Sequence, residues 1–224
     1  METKITDNYF EYSTVKYFRG VAEDCVIGSY GKKRDPIGAR AHLDVQTSVK
    51  DDYLASRVKY ITTVDIDWSQ TTKADVEVNG QLQCFGLNTS AAVGMSYENA
   101  KNGKLKLTKF GIDEAHLTGM LNNDAVNARN YLADEGSDGR IVSEIWVVVD
   151  GKLGEHFSAY GSLSGSVKAN GNGLEFSATG GSNGQQTITL SKGTTFAYLM
   201  YKVKDWSNSK THIEDMEPDY KGMG

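Results

Sequence analysis

The side chains that could do covalent chemistry are few. Gly180-Gly181-Ser182-Asn183-Gly184 fits the glycine-x-serine-x-glycine pattern, in which a serine nucleophile stands on a strained turn between a strand and a helix. The next residues, Gln185 to Leu190, alternate like a strand, so the pentapeptide is expected to be a hairpin turn and Ser182 an ordinary turn residue. Asp65 and Asp67 place two carboxylates on one side of an extended segment, a cation-binding pattern that plain strand alternation also produces. His42, His116, His156 and His212 show no metal-ligand spacing, and Cys25 and Cys84 form no C-x-x-C pair. No glycine-rich phosphate loop is present. These observations argue against an enzyme and imply neither a metal nor a cofactor.

Charge gives a second kind of site. Lys101, Lys104, Lys106 and Lys109 fall in a stretch without an acid, and Lys32, Lys33 and Arg34 form another. Such groups suit anionic lipid headgroups, at about 1 kcal/mol per lysine near a charged leaflet. They equally suit edge strands protected from aggregation. The whole chain carries −5, so no global basic field exists to hold nucleic acid.

Composition indicates the elements that must position these groups: the 224 residues hold 24 glycines and 2 prolines, with no proline between Pro36 and Pro218. That composition predicts uninterrupted strands joined by glycine turns. An early strand is expected to run into a loop over 28–36, and Asp51 and Asp52 to open a short helix. Val58, Tyr60, Val64, Ile66 and Trp68 then share one strand face. Residues 74–84 and 91–97 alternate as two facing segments, and 104–108 alternate again. Residues 112–132 turn to helical spacing, with Asp113 and Asn123 as caps and Gly136 as the stop. Alternation returns over 141–149, 155–168, 174–179 and 187–190, and a further strand is expected over 195–203, with turns at Asp150-Gly151, 170–173 and 180–184. The predicted fold is α+β: one domain with a twisted, mostly antiparallel β-sheet of long hairpins flanked by a few helices. The body is expected over 1–206 and an acidic tail over 207–224; from Asp205 onward five carboxylates face two lysines. Two cysteines, the absence of a charged-then-apolar leader and the lack of any run near ~18 apolar residues predict a cytoplasmic chain made without a secretory signal.

In its order of elements the chain resembles the pore-forming domain of the gasdermin family, particularly small microbial members of bacterial or fungal type. The similarity covers roughly 58–206. It rests on the long alternating segment, Ala91-Ala-Val-Gly-Met-Ser-Tyr-Glu-Asn-Ala100, a helical insert ending Ala128-Arg-Asn-Tyr-Leu132, Leu174-Glu-Phe-Ser-Ala-Thr-Gly180, and the stretch from Ile188 to Leu199. The resemblance implies a cell-death or antiviral defence protein that is cytoplasmic while inactive and acts on the inner face of the plasma membrane. It implies self-association into a large oligomer, with two β-hairpins per subunit inserted after release of inhibition. The hairpins would come from about 74–112 and 141–180. Val76, Val78, Leu82, Val93, Met95, Ile145, Val147 and Val149 would enter the membrane, and Lys101, Lys104, Lys106 and Lys109 would meet anionic headgroups. An activating protease or partner protein is implied, with 207–224 as a candidate inhibitory segment. Bacterial members commonly carry a lipidated cysteine near the N-terminus, whereas the first cysteine here is Cys25. The alternative is a non-enzymatic β-rich assembly protein, such as a virion or secretion-tube component, whose hairpins pair between subunits.

Overall fold

Strand β10, Gly139–Asp150, is buried on both faces along nearly its whole length. Its sequence, Ile141-Val142 and then Ile145-Trp146-Val147-Val148-Val149, is the near-continuous apolar run that a central strand requires. Ile141, Ile145, Val147 and Val149 face the larger of two hydrophobic cores, and Trp146 and Val148 face the smaller. The computed structural model describes residues 3–66, 77–78, 81–82 and 105–223.

Around β10 the described residues form a ten-stranded sheet. On one side lies β14 (Ala197–Trp206), continued by β3 (Val15–Phe18), β2 (Tyr9–Tyr12) and β1 (Thr3–Ile5). On the other side, the first residues of β10 pair with β4 (Ser29–Arg34), which pairs with β5 (His42–Ser48). Its later residues pair with β9 (Leu105–Gly111), which pairs with β6 (Lys59–Asp65). Every named strand pair is antiparallel, so the mostly antiparallel α+β fold stands as expected. A separate three-stranded sheet holds β11 (Ser166–Ala169), β12 (Leu174–Thr179) and β13 (Gln185–Leu190), and β7 (Glu77–Val78) pairs with β8 (Gln81–Leu82).

Four helices flank these sheets among the described residues. The expected short helix at Asp51 is α1, Asp51–Ala55. The helical stretch resolves into α2 (Glu114–Asn123) and α3 (Val126–Glu135). Asp113 caps α2 by accepting from the His116 backbone N–H, and Gly136 ends α3 at φ 58°. Asn123 is the last residue of α2 rather than a cap, its side chain donating back to the Gly119 carbonyl.

Two elements differ from the sequence reading. Residues 29–34, expected as loop, form β4, because Ser29, Tyr30 and Gly31 turn into the core beside β10. A Cβ on Gly31 would lie 2.0 Å from the Asp44 carbonyl oxygen, so this glycine permits close strand approach rather than a turn. Residues 155–168, expected as one strand, are mostly helix: α4 runs Gly151–Ser164 and only β11 is extended. The Asp150 side chain accepts from the Leu153 backbone N–H, making the Asp150-Gly151 pair a helix start instead of a hairpin turn. Leu153, Gly154, His156, Phe157 and Gly161 supply a buried helical stripe.

The acidic tail is part of the sheet. Strand β15, Ile213–Asp219, pairs with β14, and Ile213, Met216 and Met223 are buried. The Asn122 side chain both donates to the Ile213 carbonyl and accepts from its N–H, at 2.9 Å each, in the manner of a neighbouring strand.

Candidate functional site

Strands β6, β9, β10 and β14 lie side by side in chain order. Their connections alternate between the two ends of this four-stranded meander. Asp65 pairs with Lys106, Asp150 with Leu105, and Trp146 with Ala197, so β6 and β10 finish, and β9 and β14 begin, at one end. Both long connections, 66–104 and 151–196, therefore leave the sheet at that end. The shorter connection from β9 to β10, containing α2 and α3, lies at the other.

The connection 151–196 is described throughout. Helix α4 lies on β6 and β9 through its glycines: a Cβ on Gly154 would meet the Lys106 side chain at 2.8–3.3 Å, and one on Gly161 would meet the Tyr60 ring at 3.0 Å. Phe157 joins Tyr60, Phe110 and Phe176 in one aromatic cluster, with centroid separations of 5.0–6.5 Å. His156 is buried, with Nε2 3.0 Å from the Ala178 carbonyl oxygen. Ser164 Oγ donates to the Thr179 carbonyl and accepts from its N–H, fastening the helix end to β12. Along the other border, Lys192 pairs with Asp24 at 2.8 Å, Gly193 N–H donates to the Glu23 carbonyl, and Thr195 Oγ donates to the Cys25 carbonyl at 2.6 Å.

The turn over 170–173 closes on itself through Asn170 N–H to the Gly173 carbonyl and Asn172 N–H to the Asn170 side chain. Asp51 of α1 accepts a hydrogen bond from the Gly173 backbone; burial and the neighbouring Asp52 nonetheless hold its carboxyl above the ordinary range. An open groove of about 690 Å³ follows this seam, between β5 on one side and 171–174 and 190–192 on the other.

Among the described residues, the expected membrane positions do not form one cluster. Ile145, Val147 and Val149 are fully buried in the body core. Lys106 pairs with Asp65 at 2.7 Å. Lys109 pairs with Glu144 at 3.2 Å and donates to the Tyr17 hydroxyl, whose pKa is raised by burial and then by Glu144. Val78 and Leu82 stand on β7 and β8. Val76, Val93, Met95, Lys101 and Lys104 lie outside the described residues.

The other sequence candidates resolve simply. Ser182 sits in the exposed turn between β12 and β13, closed by Gly180 N–H to the Gly184 carbonyl, with a strand immediately after it. Asp65 is ion-paired and Asp67 lies outside the described residues. Among the described residues no cluster of His, Cys, Asp or Glu could hold a metal ion. No described helix is long and apolar enough to cross a membrane, which says nothing about crossing by strands.

Sequence reasoning missed the charge that locks the tail. Asp219 accepts from Lys33 Nζ at 2.8 Å and Arg140 Nε at 2.7 Å, and all three side chains are nearly inaccessible. Burial raises the Asp219 carboxyl, but Lys33, the Lys221 N–H and Arg140 outweigh it and hold it below the usual range. No family model, curated protein or solved structure matches the chain.

Proposed function

We propose that the protein is a membrane pore former of the cell-death or defence type, in which the connections 66–104 and 151–196 insert as two β-hairpins per subunit. The observation that carries this reading is the common exit of both connections from one end of the β6–β9–β10–β14 meander. Hairpins lengthened from that end would project side by side from the same edge of the sheet, their strands antiparallel, as a barrel wall requires. A closed barrel also satisfies every backbone N–H and C=O within lipid, which an open sheet cannot do. Self-association supplies the closure and an anionic lipid surface supplies both the platform and the trigger, which an activating protease or partner protein would accelerate.

The test is release of dyes of graded size from vesicles of phosphatidylcholine and phosphatidylglycerol by the full chain. Release of small and large dyes together, with ring-shaped oligomers on the vesicles, is the expected result. Intact vesicles beside ordered oligomers formed without lipid would replace this reading with that of an assembly protein.

A further inference from the structure

Two strand pairings that look unrelated share one register. At the base of the second connection, β10 pairs with β14 as Ile145↔Tyr198 and Trp146↔Ala197. In the separate small sheet, β11 pairs with β12 as Ser166↔Ser177 and Val167↔Phe176. Twenty-one residues separate Trp146 from Val167, and twenty-one separate Phe176 from Ala197. The base and the tip of one long hairpin are thus already zipped without a residue gained or lost. Between them, α4 (151–164) stands opposite 179–192, fourteen residues on either side.

We infer that the second inserting element is a single hairpin from β10 through 170–173 to β14, preset in this register, and that one of its faces contacts the hydrocarbon of the bilayer; this rests on the pore-forming reading. In an extended chain, alternate residues share a face. Carried through α4, that alternation puts Leu153, Phe157, Ala159, Leu163 and Val167 on one face of the rising strand. The register brings Leu174, Phe176, Ala178, Ile188 and Leu190 to the same face of the descending strand. The opposite face of the rising strand holds Lys152, His156, Ser158, Tyr160, Ser162 and Ser164, and that of the descending strand holds only polar residues and glycine from Glu175 to Ser191. Glu155, Ser182 and Gln186 are the polar interruptions of the apolar face. Glu155 and Gln186 fall near its base, where the cost of polarity is smaller than at the bilayer centre.

A one-residue slip would scramble this division, because it moves every side chain of one strand to the other face. An apolar face matched across both strands therefore fixes the parity of the register, and the two zipped pairings fix the register itself. The resting helix does not require the match: Ala159 and Leu163 are exposed on α4, Leu163 at 84%. About 9–11 residues per strand suffice to cross a bilayer, and 153–169 exceeds that.

The test is paired-cysteine crosslinking in the full chain carrying Cys84→Ser. Ser158 and Gln185 are both exposed in the resting fold and become direct partners only in the preset register. S158C/Q185C is expected to give at least a fivefold higher disulfide yield on phosphatidylglycerol vesicles than without lipid, while S158C/T187C, two residues out of register, does not respond. Dye release accompanied by crosslinking in the second pair, or in neither, overturns the preset register and leaves the pore reading standing. Vesicles that stay sealed, with no lipid-dependent crosslink, overturn both.

Discussion

Gly154 on α4 lies against Lys106 on β9 so closely that a Cβ added to the glycine would stand 3.0 Å from the lysine Cβ. The helix is seated on the sheet through a missing side chain, one of the contacts that fasten the second connection in its resting position. Gly154→Val is therefore expected to push α4 off β9. Overpacking of this kind costs about 1–3 kcal/mol, read as a lower melting temperature in lipid-free buffer. Faster dye release from anionic vesicles should accompany it.

The helix start offers a gentler perturbation. Asp150→Ala removes the acceptor for the Leu153 N–H and should cost about 1 kcal/mol of resting stability. Its place at the end of β10 is otherwise extended-compatible, so the variant should release dye roughly fivefold faster if α4 must unwind before insertion. An unchanged rate would show that α4 unwinding does not limit the process.

Face assignment can be tested by moving one charge one residue. Leu163→Lys replaces an exposed helical residue and should change resting stability by no more than about 0.5 kcal/mol. On the lipid face of a barrel a lysine near the midplane costs about 2–4 kcal/mol, so release should fall at least tenfold. Ser162→Lys, on the other face of the extended strand, should retain release. Equal behaviour of the two variants in the vesicle assay would contradict the assignment.

The tail supplies a pH dependence whose sign follows from the lowered Asp219 carboxyl. Between the lowered native value and the ordinary carboxyl value near ~3.9, the unfolded chain binds more protons than the native one. Asp219 therefore adds stability that is fully present above the ordinary value and lost as pH falls through the native value. Asp219→Asn should remove this contribution and leave Lys33 and Arg140 buried without a counter-charge, lowering stability by about 3–5 kcal/mol at neutral pH. Denaturant unfolding of both forms across pH 2–7 checks it: the two curves should converge at the acid end.

Much of the fold was legible because local rules agreed with the tertiary context. Asp113 and Gly136 mark helix boundaries by side-chain capping and positive φ, and the Gly180–Gly184 turn declares itself by the strand immediately after it. Residues 29–34 were not legible as β4, since a glycine chosen for close packing reads in isolation like a glycine chosen for a turn. Asp219 was hidden because its partners, Lys33 and Arg140, stand 186 and 79 residues away. Residues 155–168 are the instructive case. Their two-residue alternation is real, yet the Asp150 cap and the Gly154 and Gly161 contacts favour α4 in the resting fold. One segment is written with two periods, and the period that the resting fold does not use is the one an inserted hairpin needs.

In the proposed mechanism α4 must leave β9 before a pore forms, and a reversible lock tests this requirement most directly. Lys106→Cys with Gly154→Cys, in a chain carrying Cys84→Ser, puts two cysteine Cβ atoms 3.0 Å apart, a spacing that a shift of about half an ångström converts to disulfide geometry. Dye release from phosphatidylglycerol vesicles is then compared for the oxidised and reduced forms of the same variant. Sealed vesicles with the oxidised protein, and release on adding reductant, are the expected result. Equal release by both forms would contradict the mechanism.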